Sequence, residues 1–374
     1  MTGKEIIKYL EDWAPKGIAW QKDNVGLQVG NPEAKIKNIL LSLDLKEEVI
    51  DTAIKKNCNL IITHHPLLFH PLKNLDFSNN KNAIMIEKLI QNKITLFSAH
   101  TNLDFTKHGV SYQLAKRLSL KKIKFLKNIS GNQFKLVVFV PDSHVEKVAE
   151  TIHQSGGGII GEYSNCSFRT NGKGTFKGLN ESNPSIGTKG VTEFVDEVKL
   201  EVIVDEWRLN QVITAMKKNH PYEEVAFDVF PLKNDNVNYG IGAAGELATE
   251  MGTKGFLKFV SSKLKTSGLR YSLGKRSKIK NVAVCGGSCG ELVDEAIKQN
   301  ADAFITADIK YHTFQDAENK IFLIDAGHYE TEVPILDEIK SRLDSLLKAD
   351  DEIKVLKFKS STNPVFFYNK SGAN

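Results

Sequence analysis

Cysteine is scarce: four residues in 374, too few for a disulfide framework in a chain of this length. Cys285 and Cys289 stand four apart in a glycine-rich turn, but no second pair exists to close a four-ligand zinc site. No apolar run approaches the roughly 20 residues a membrane span needs. Residues 1–13 are charged and amphipathic and lack the apolar stretch of a signal peptide. The cytoplasm is the expected setting, and no membrane is expected as a partner. An excess of one charge is also missing. Fifty Lys and Arg against 45 Asp and Glu leave +5, which does not favour nucleic acid as a partner. There is no Walker motif and no Ser-His-Asp signature.

What is present is an ordinary globular composition, 41% hydrophobic and 25% charged, in a chain long enough for two or more domains. Its most informative stretch is Asn59-Leu60-Ile61-Ile62-Thr63-His64-His65-Pro66. An apolar, β-prone run stops at two histidines, and the proline turns the residue before it away from helix. This is a buried strand that delivers two imidazoles at its C-terminal end, the edge where open α/β sheets bind ligands. Around it, strands at 39–43 and 94–98 alternate with helices at 46–56 and 82–91. The alternation predicts βαβ units and a largely parallel sheet. Asp23 could face a site, but a solvated turn is the preferred reading.

From residue 131 the pattern changes to βαββαβ. Strands are expected at 134–140, around 163–176, at 199–204 and at 225–230, and helices at 143–154 and 207–218. A loop is expected at 178–197 and a linker at 234–238. The first pattern then resumes, with strands at 282–284, 303–306 and 321–324 and a helix over 332–347. The expected organisation is a discontinuous α/β domain, 1–130 with 233–374, interrupted by a ferredoxin-like α+β insert at 131–232.

Residues 36–63 and 279–306 align without gaps at a shift of 243, with eleven of twenty-eight positions identical. This suggests an internal duplication and a pseudo-symmetric domain with mixed or largely parallel sheets. His100-x-x-x-Asp104 and His328-x-x-x-Glu332 each follow an apolar strand, and i and i+4 share one face of a helical turn. Asp308 stands where His65 stands in the first half. A lone histidine at a strand end is usually structural. Several ligand-type residues at three strand ends point instead to a metal site, and adjacent diverging histidines with a two-oxygen Glu332 suit a dinuclear one. Mixed nitrogen and oxygen ligands fit two divalent ions per subunit, whether Zn, Fe, Mn, Co or Ni. Such a pair polarises phosphoryl or carbonyl oxygens and activates water. His100 reads either as a ligand or, the preferred reading, as a residue that orients one, and Asp308, His312 and Tyr329 are candidates for substrate contact. Gly286-Gly287-Ser288 resembles a phosphate-cradling turn, although tight packing explains it as well.

Thr63-His64-His65-Pro66, Ser98-Ala99-His100-Thr101-Asn102-Leu103-Asp104, Gly240-Ile241-Gly242 with Gly245, and Gly327-His328-Tyr329-Glu330-Thr331-Glu332 together resemble the GTP cyclohydrolase I type 2 homologue (Nif-three-like) family. The resemblance covers both outer segments. It implies a dinuclear centre held by His64, His65, Asp104, His328 and bridging Glu332, all intact, in subunits that form toroidal homohexamers. The 131–232 segment, with His220-Pro221-Tyr222-Glu223-Glu224, looks like the PII-like insert of the longer members, which would trimerise as a lid. The expected function is a metal-dependent hydrolase acting on a nucleotide or phosphate ester. The alternative is a non-enzymatic metal-binding or regulatory scaffold.

Overall fold

The computed structural model describes residues 1–347 and 352–368. The chain divides into two compact units, Met1–Lys127 with Tyr239–Asn374, and Asn128–Asn238.

The first unit holds two mixed sheets. In one, strands Asn38–Ser42, Leu60–Thr63 and Thr95–Ser98 run parallel, Lys354–Lys357 adds a parallel edge, and Gly26–Val29 closes the other edge antiparallel. In the other, Lys278–Val284, Ala303–Thr306 and Phe322–Asp325 run parallel. Arg270–Ser272 lies antiparallel at one edge, and Asp235–Gly252 followed by Lys121–Ser130 completes the other.

The two sheets share their register. Ile39 pairs with Leu60, and Val282 pairs with Ala303, residues that stand 243 apart. Both sheets are covered on both faces, which is why their strands read as unbroken apolar runs. Leu60 and Ile62 enter one core and Ile61 the other. Ala303 and Ile305 likewise separate from Phe304. Each fully buried Ile or Leu contributes roughly 1.5–3 kcal/mol relative to exposure.

The second unit is a four-stranded antiparallel sheet in the spatial order Phe168–Lys177, Thr192–Asp205, Gln133–Pro141, Phe227–Leu232. Helices Val145–Gln154 and Glu206–Asn219 bury Val148, Ile152, Val212 and Met216 against Leu136, Val138, Leu200 and Val202. The element order is βαββαβ.

Three local expectations need correction. Residues 234–238 are not a linker: they open the long Asp235–Gly252 strand. Asn236 is fully buried there, its amide donating to Asp205 Oδ1 at 3.1 Å and Asn132 Oδ1 at 3.3 Å. The 178–197 loop is shorter than expected, because the Thr192–Asp205 strand begins inside it. The expected 332–347 helix is two helices, His328–Glu332 and Ile335–Leu346. Pro334 divides them, since it lacks an N–H and its ring clashes one turn back. Among the described residues, no helix is long and apolar enough to cross a membrane.

Candidate metal centre

Three strand ends supply the site, all within the first unit. Leu60–Thr63 runs into His64 and His65, whose backbone amides both donate to Leu43 O. Thr95–Ser98 runs through Ala99 to His100, the N-cap of the one-turn helix Thr101–Asp104. Phe322–Asp325 runs to Gly327, whose φ of 91° turns the chain into the His328–Glu332 helix. That turn sets His328 and Glu332 on one helical face, with His328 Nε2 3.1 Å from Glu332 Oε1.

Each imidazole is pinned through Nδ1. His64 Nδ1 meets Ala99 O at 2.7 Å, and His65 Nδ1 meets Asp44 Oδ1 at 2.7 Å. His328 Nδ1 meets Asp308 Oδ2 at 2.6 Å, and His100 Nδ1 meets Asp23 Oδ2 at 2.9 Å. With Nδ1 as the donor, Nε2 is left as a lone-pair ligand, and the outer partner fixes tautomer and ring orientation.

The freed atoms converge. His65 Nε2 lies 3.1 Å from Glu332 Oε2 and 3.4 Å from His328 Nε2. His64 Nε2 lies 3.6 Å from Asp104 Oδ1 and 3.8 Å from Glu332 Oε1. Ligands about 2.1 Å from one ion stand about 3.0–3.4 Å from one another; the separations around His65 fall in that range, and those around His64 lie just beyond it. His64 Nε2 and Asp104 Oδ1 are buried without a hydrogen bond, an arrangement that costs free energy unless something else occupies those atoms. Among the described residues, two groups have ligand atoms close enough to hold an ion: His64 with His65 and His100, and His65 with His328 and Glu332.

The electrostatics are strongly coupled. Burial lowers the His64 pKa against the pull of Glu332. Burial also acts downward on His65, but Asp44 and Glu332 outweigh it and raise that imidazole to about 10. His328 reaches about 9, because Glu332 and Asp308 outweigh its burial. Asp104 is pushed well up by burial and by the Glu332 charge. Glu332 is buried, yet its three histidine neighbours hold it well below the usual carboxylate range. The cluster thus carries protons where a cation would otherwise sit.

A cavity of about 480 Å³ opens beside it, lined by His65, Asp308, His328, Tyr329, Arg270 and Phe367, among others. Tyr329 therefore faces the space next to the site, and Asp308 orients His328 rather than standing apart. His312 is not brought in: it is exposed and bonded to Gln315.

Three contributors are not among the site residues expected from the sequence: Asp44 and Thr362 carry no such reading, and for Asp23 the solvated turn is preferred. Asp23, read as a turn residue, has a side chain only 3% exposed and pins His100. Asp44 ends an apolar strand, the same signal that marked the histidines, and it pins His65. Thr362 donates to Asp44 and carries no sequence signal at all.

A sequence profile of the family described as Duf34/NIF3 (NGG1p interacting factor 3) matches residues 1–364. The chain belongs to this family. It is 39% identical over 349 residues to a GTP cyclohydrolase 1 type 2 homolog of Halalkalibacterium halodurans, covering 93% of each chain. It is 36% identical over 372 residues to the protein of that name from Bacillus subtilis, covering 98% of this chain and 99% of the other. Among solved structures, a Bacillus cereus protein related to NIF3 superposes with a TM-score of 0.84 at 35% identity, covering 98% of this chain and 99% of that one. Staphylococcus aureus protein SA1388 gives a TM-score of 0.77 at 31% identity, with the same coverage. The chain thus has the Duf34/NIF3 α/β fold, and two groups of candidate metal-ligand residues lie within it.

Proposed function

We propose that this Duf34/NIF3 protein is a hydrolase dependent on two divalent ions, acting on a nucleotide or phosphate ester. The observation that carries this is the pair of buried atoms without hydrogen-bond partners, His64 Nε2 and Asp104 Oδ1, beside the buried Glu332 carboxylate and imidazoles already satisfied through Nδ1. His64 and Asp104 would hold one ion, His65 and His328 the other, and Glu332 would reach both through its two oxygens. Bound there, a divalent pair polarises a phosphoryl or carbonyl oxygen and makes a nearby water more acidic.

The chain's own residues do the rest. Asp44, Asp308 and the Ala99 carbonyl hold the rings in place, and Leu43 and Phe367 give the adjoining cavity part of its lining. His100, held by Asp23, is placed to hydrogen-bond a substrate and to move a proton. The printed names of the relatives and the open cavity beside the cluster support a nucleotide or another phosphate ester as substrate.

The equal registers of the two sheets support an internal duplication. On the same basis we assign the metal site to a domain of 1–130 with 233–374, and 131–232 to a PII-like ferredoxin-fold insert. The assembly is proposed to be a homohexameric ring.

The test is turnover of GTP, phosphomonoesters and phosphodiesters by protein loaded separately with Mn, Fe, Co or Zn. Activity that depends on metal and disappears in Glu332→Ala supports the proposal. Tight metal binding with no turnover under any loading would favour the scaffold role instead.

A further inference from the structure

Cys285 and Cys289 take no part in the centre described above, yet they are among the closest side-chain pairs in the molecule. Their sulfurs are in direct contact, as two cysteines must be before they can be bridged. The spacing comes from the turn between them. Lys278–Val284 ends at Cys285, whose amide donates to Ile305 O. Gly287, with a φ of 70°, turns the chain back. The Cys289 amide then donates to Thr306 Oγ1 at 3.2 Å. Both ends of the turn are therefore tied to one strand.

The same turn touches the metal cluster. The Gly287 amide donates to Thr331 Oγ1 at 3.0 Å, and its carbonyl accepts from Thr306 Oγ1 and from the Ala307 amide. A Cβ on Gly287 would lie 2.3 Å from Glu332 Oε1, so the backbone between the two cysteines is the wall behind Glu332. The two thiols also differ in access: Cys285 is buried and Cys289 is partly exposed.

We propose that Cys285 and Cys289 are a redox-active dithiol, oxidised by low-molecular-weight disulfides, whose closure fixes the turn that backs Glu332. Cys289 is the accessible thiol and attacks one sulfur of the small disulfide, RSSR. A mixed disulfide forms at Cys289, one RS⁻ leaves, and the thiol proton passes to solvent. Cys285 then attacks the Cys289 sulfur from inside and expels the second RS⁻. The protein gives up two electrons and two protons, and RSSR becomes two RSH. Burial and the neighbouring thiol raise the Cys289 pKa, so the first step quickens as pH rises, because the thiolate is the nucleophile.

The experiment uses the full chain, reduced with dithiothreitol and then exposed to oxidised glutathione. Thiols are counted in denaturant with chelator present, and the bridged peptide is identified by mass spectrometry. The expected result is a fall from four free thiols to two, with residues 285 and 289 linked. Cys285→Ser should instead retain glutathione on Cys289, and Cys289→Ser should take up none. Four thiols surviving, or loss confined to Cys58 and Cys166, overturns the proposal. So does masking of the pair that chelator alone reverses, which marks a thiolate-held metal. The coupling to Glu332 is read from manganese release into a chelator. Release should be slower from the oxidised protein and indifferent to oxidation in Cys289→Ser; equal rates from both wild-type forms overturn it. None of these readings depends on hydrolysis.

Discussion

Thr362 donates its hydroxyl to Asp44 Oδ2 at 2.6 Å, while Oδ1 of the same carboxylate holds His65 Nδ1 at 2.7 Å. Thr362 is buried at 2% exposure, 318 residues along the chain from Asp44. A late segment of the chain therefore fixes the carboxylate that aims a candidate metal-binding imidazole. Partners at this remove from an ion change its affinity by about 10- to 100-fold when lost. Asp44→Ala should weaken divalent-ion binding within that range. Thr362→Val removes one hydrogen bond of about 1 kcal/mol and should weaken binding by less than Asp44→Ala. Isothermal titration with Zn or Mn checks the order, and a Thr362→Val effect as large as that of Asp44→Ala would count against the relay.

Asp104 offers a prediction in which two readouts separate. Burial and Glu332 push its pKa well above the usual carboxylate value, so the site favours the neutral form of this side chain in the metal-free protein. Asp104→Asn imitates that neutral form. Metal-free stability should change less than ion affinity, which falls by roughly tenfold or more because an anionic ligand is gone. Chemical denaturation with chelator, set beside metal titration, resolves the two. A large loss of metal-free stability would show that the charged form holds the fold.

The pH dependence follows from His65 and His328. Their pKa values of about 10 and about 9 lie above the ordinary 6.5. For the metal-free protein, the stability from these raised values is fully present below pH 6.5 and is lost as pH rises through 9 to 10. A metal ligand must be deprotonated, so an ion competes with these same protons and binds more tightly as pH rises. The gap in Tm between metal-loaded and chelated protein should therefore widen from pH 6.5 to pH 9. Thermal melts across that range decide the matter, and a constant gap means that the imidazoles are not the competing sites.

How much of this was legible follows from where each interaction lies along the chain. The paired histidines, Asp104, His328 and Glu332 sit within a few residues of apolar strand ends, so local pattern finds them. The shared shift of 243 residues then supplies their relation. Asp23 is 77 residues from His100, and Asp44 is 21 from His65. Tertiary packing alone brings these carboxylates to the rings, and Asp23 in a polar turn looks like any solvated aspartate. The linker expected at 234–238 failed for a related reason: Asn236 is polar, but its partners Asn132 and Asp205 are remote in sequence and buried with it. His312 lies four residues beyond Asp308, yet the Tyr311–Ala317 helix presents it to solvent.

Gly287 gives the sharpest single-residue test of the wall behind Glu332. Its φ of 70° is strained for any residue with a Cβ, at roughly 1–2 kcal/mol. The added methyl would also press on Glu332 Oε1 at 2.3 Å. Glu332 is only 3% exposed and is held by His65 and His328, so its carboxylate has no open direction in which to yield. Gly287→Ala should lower stability by about 1–3 kcal/mol through strain and overpacking. It should also reduce ion binding by turning Glu332 away from the position where its two oxygens face different histidines. Gly252 serves as the control, since a Cβ there meets nothing within 4 Å. Metal content and denaturation midpoints of Gly287→Ala and Gly252→Ala, measured side by side, separate the two effects. If Gly287→Ala loses stability but keeps its full metal complement, then Glu332 tolerates displacement and the turn does not govern the centre.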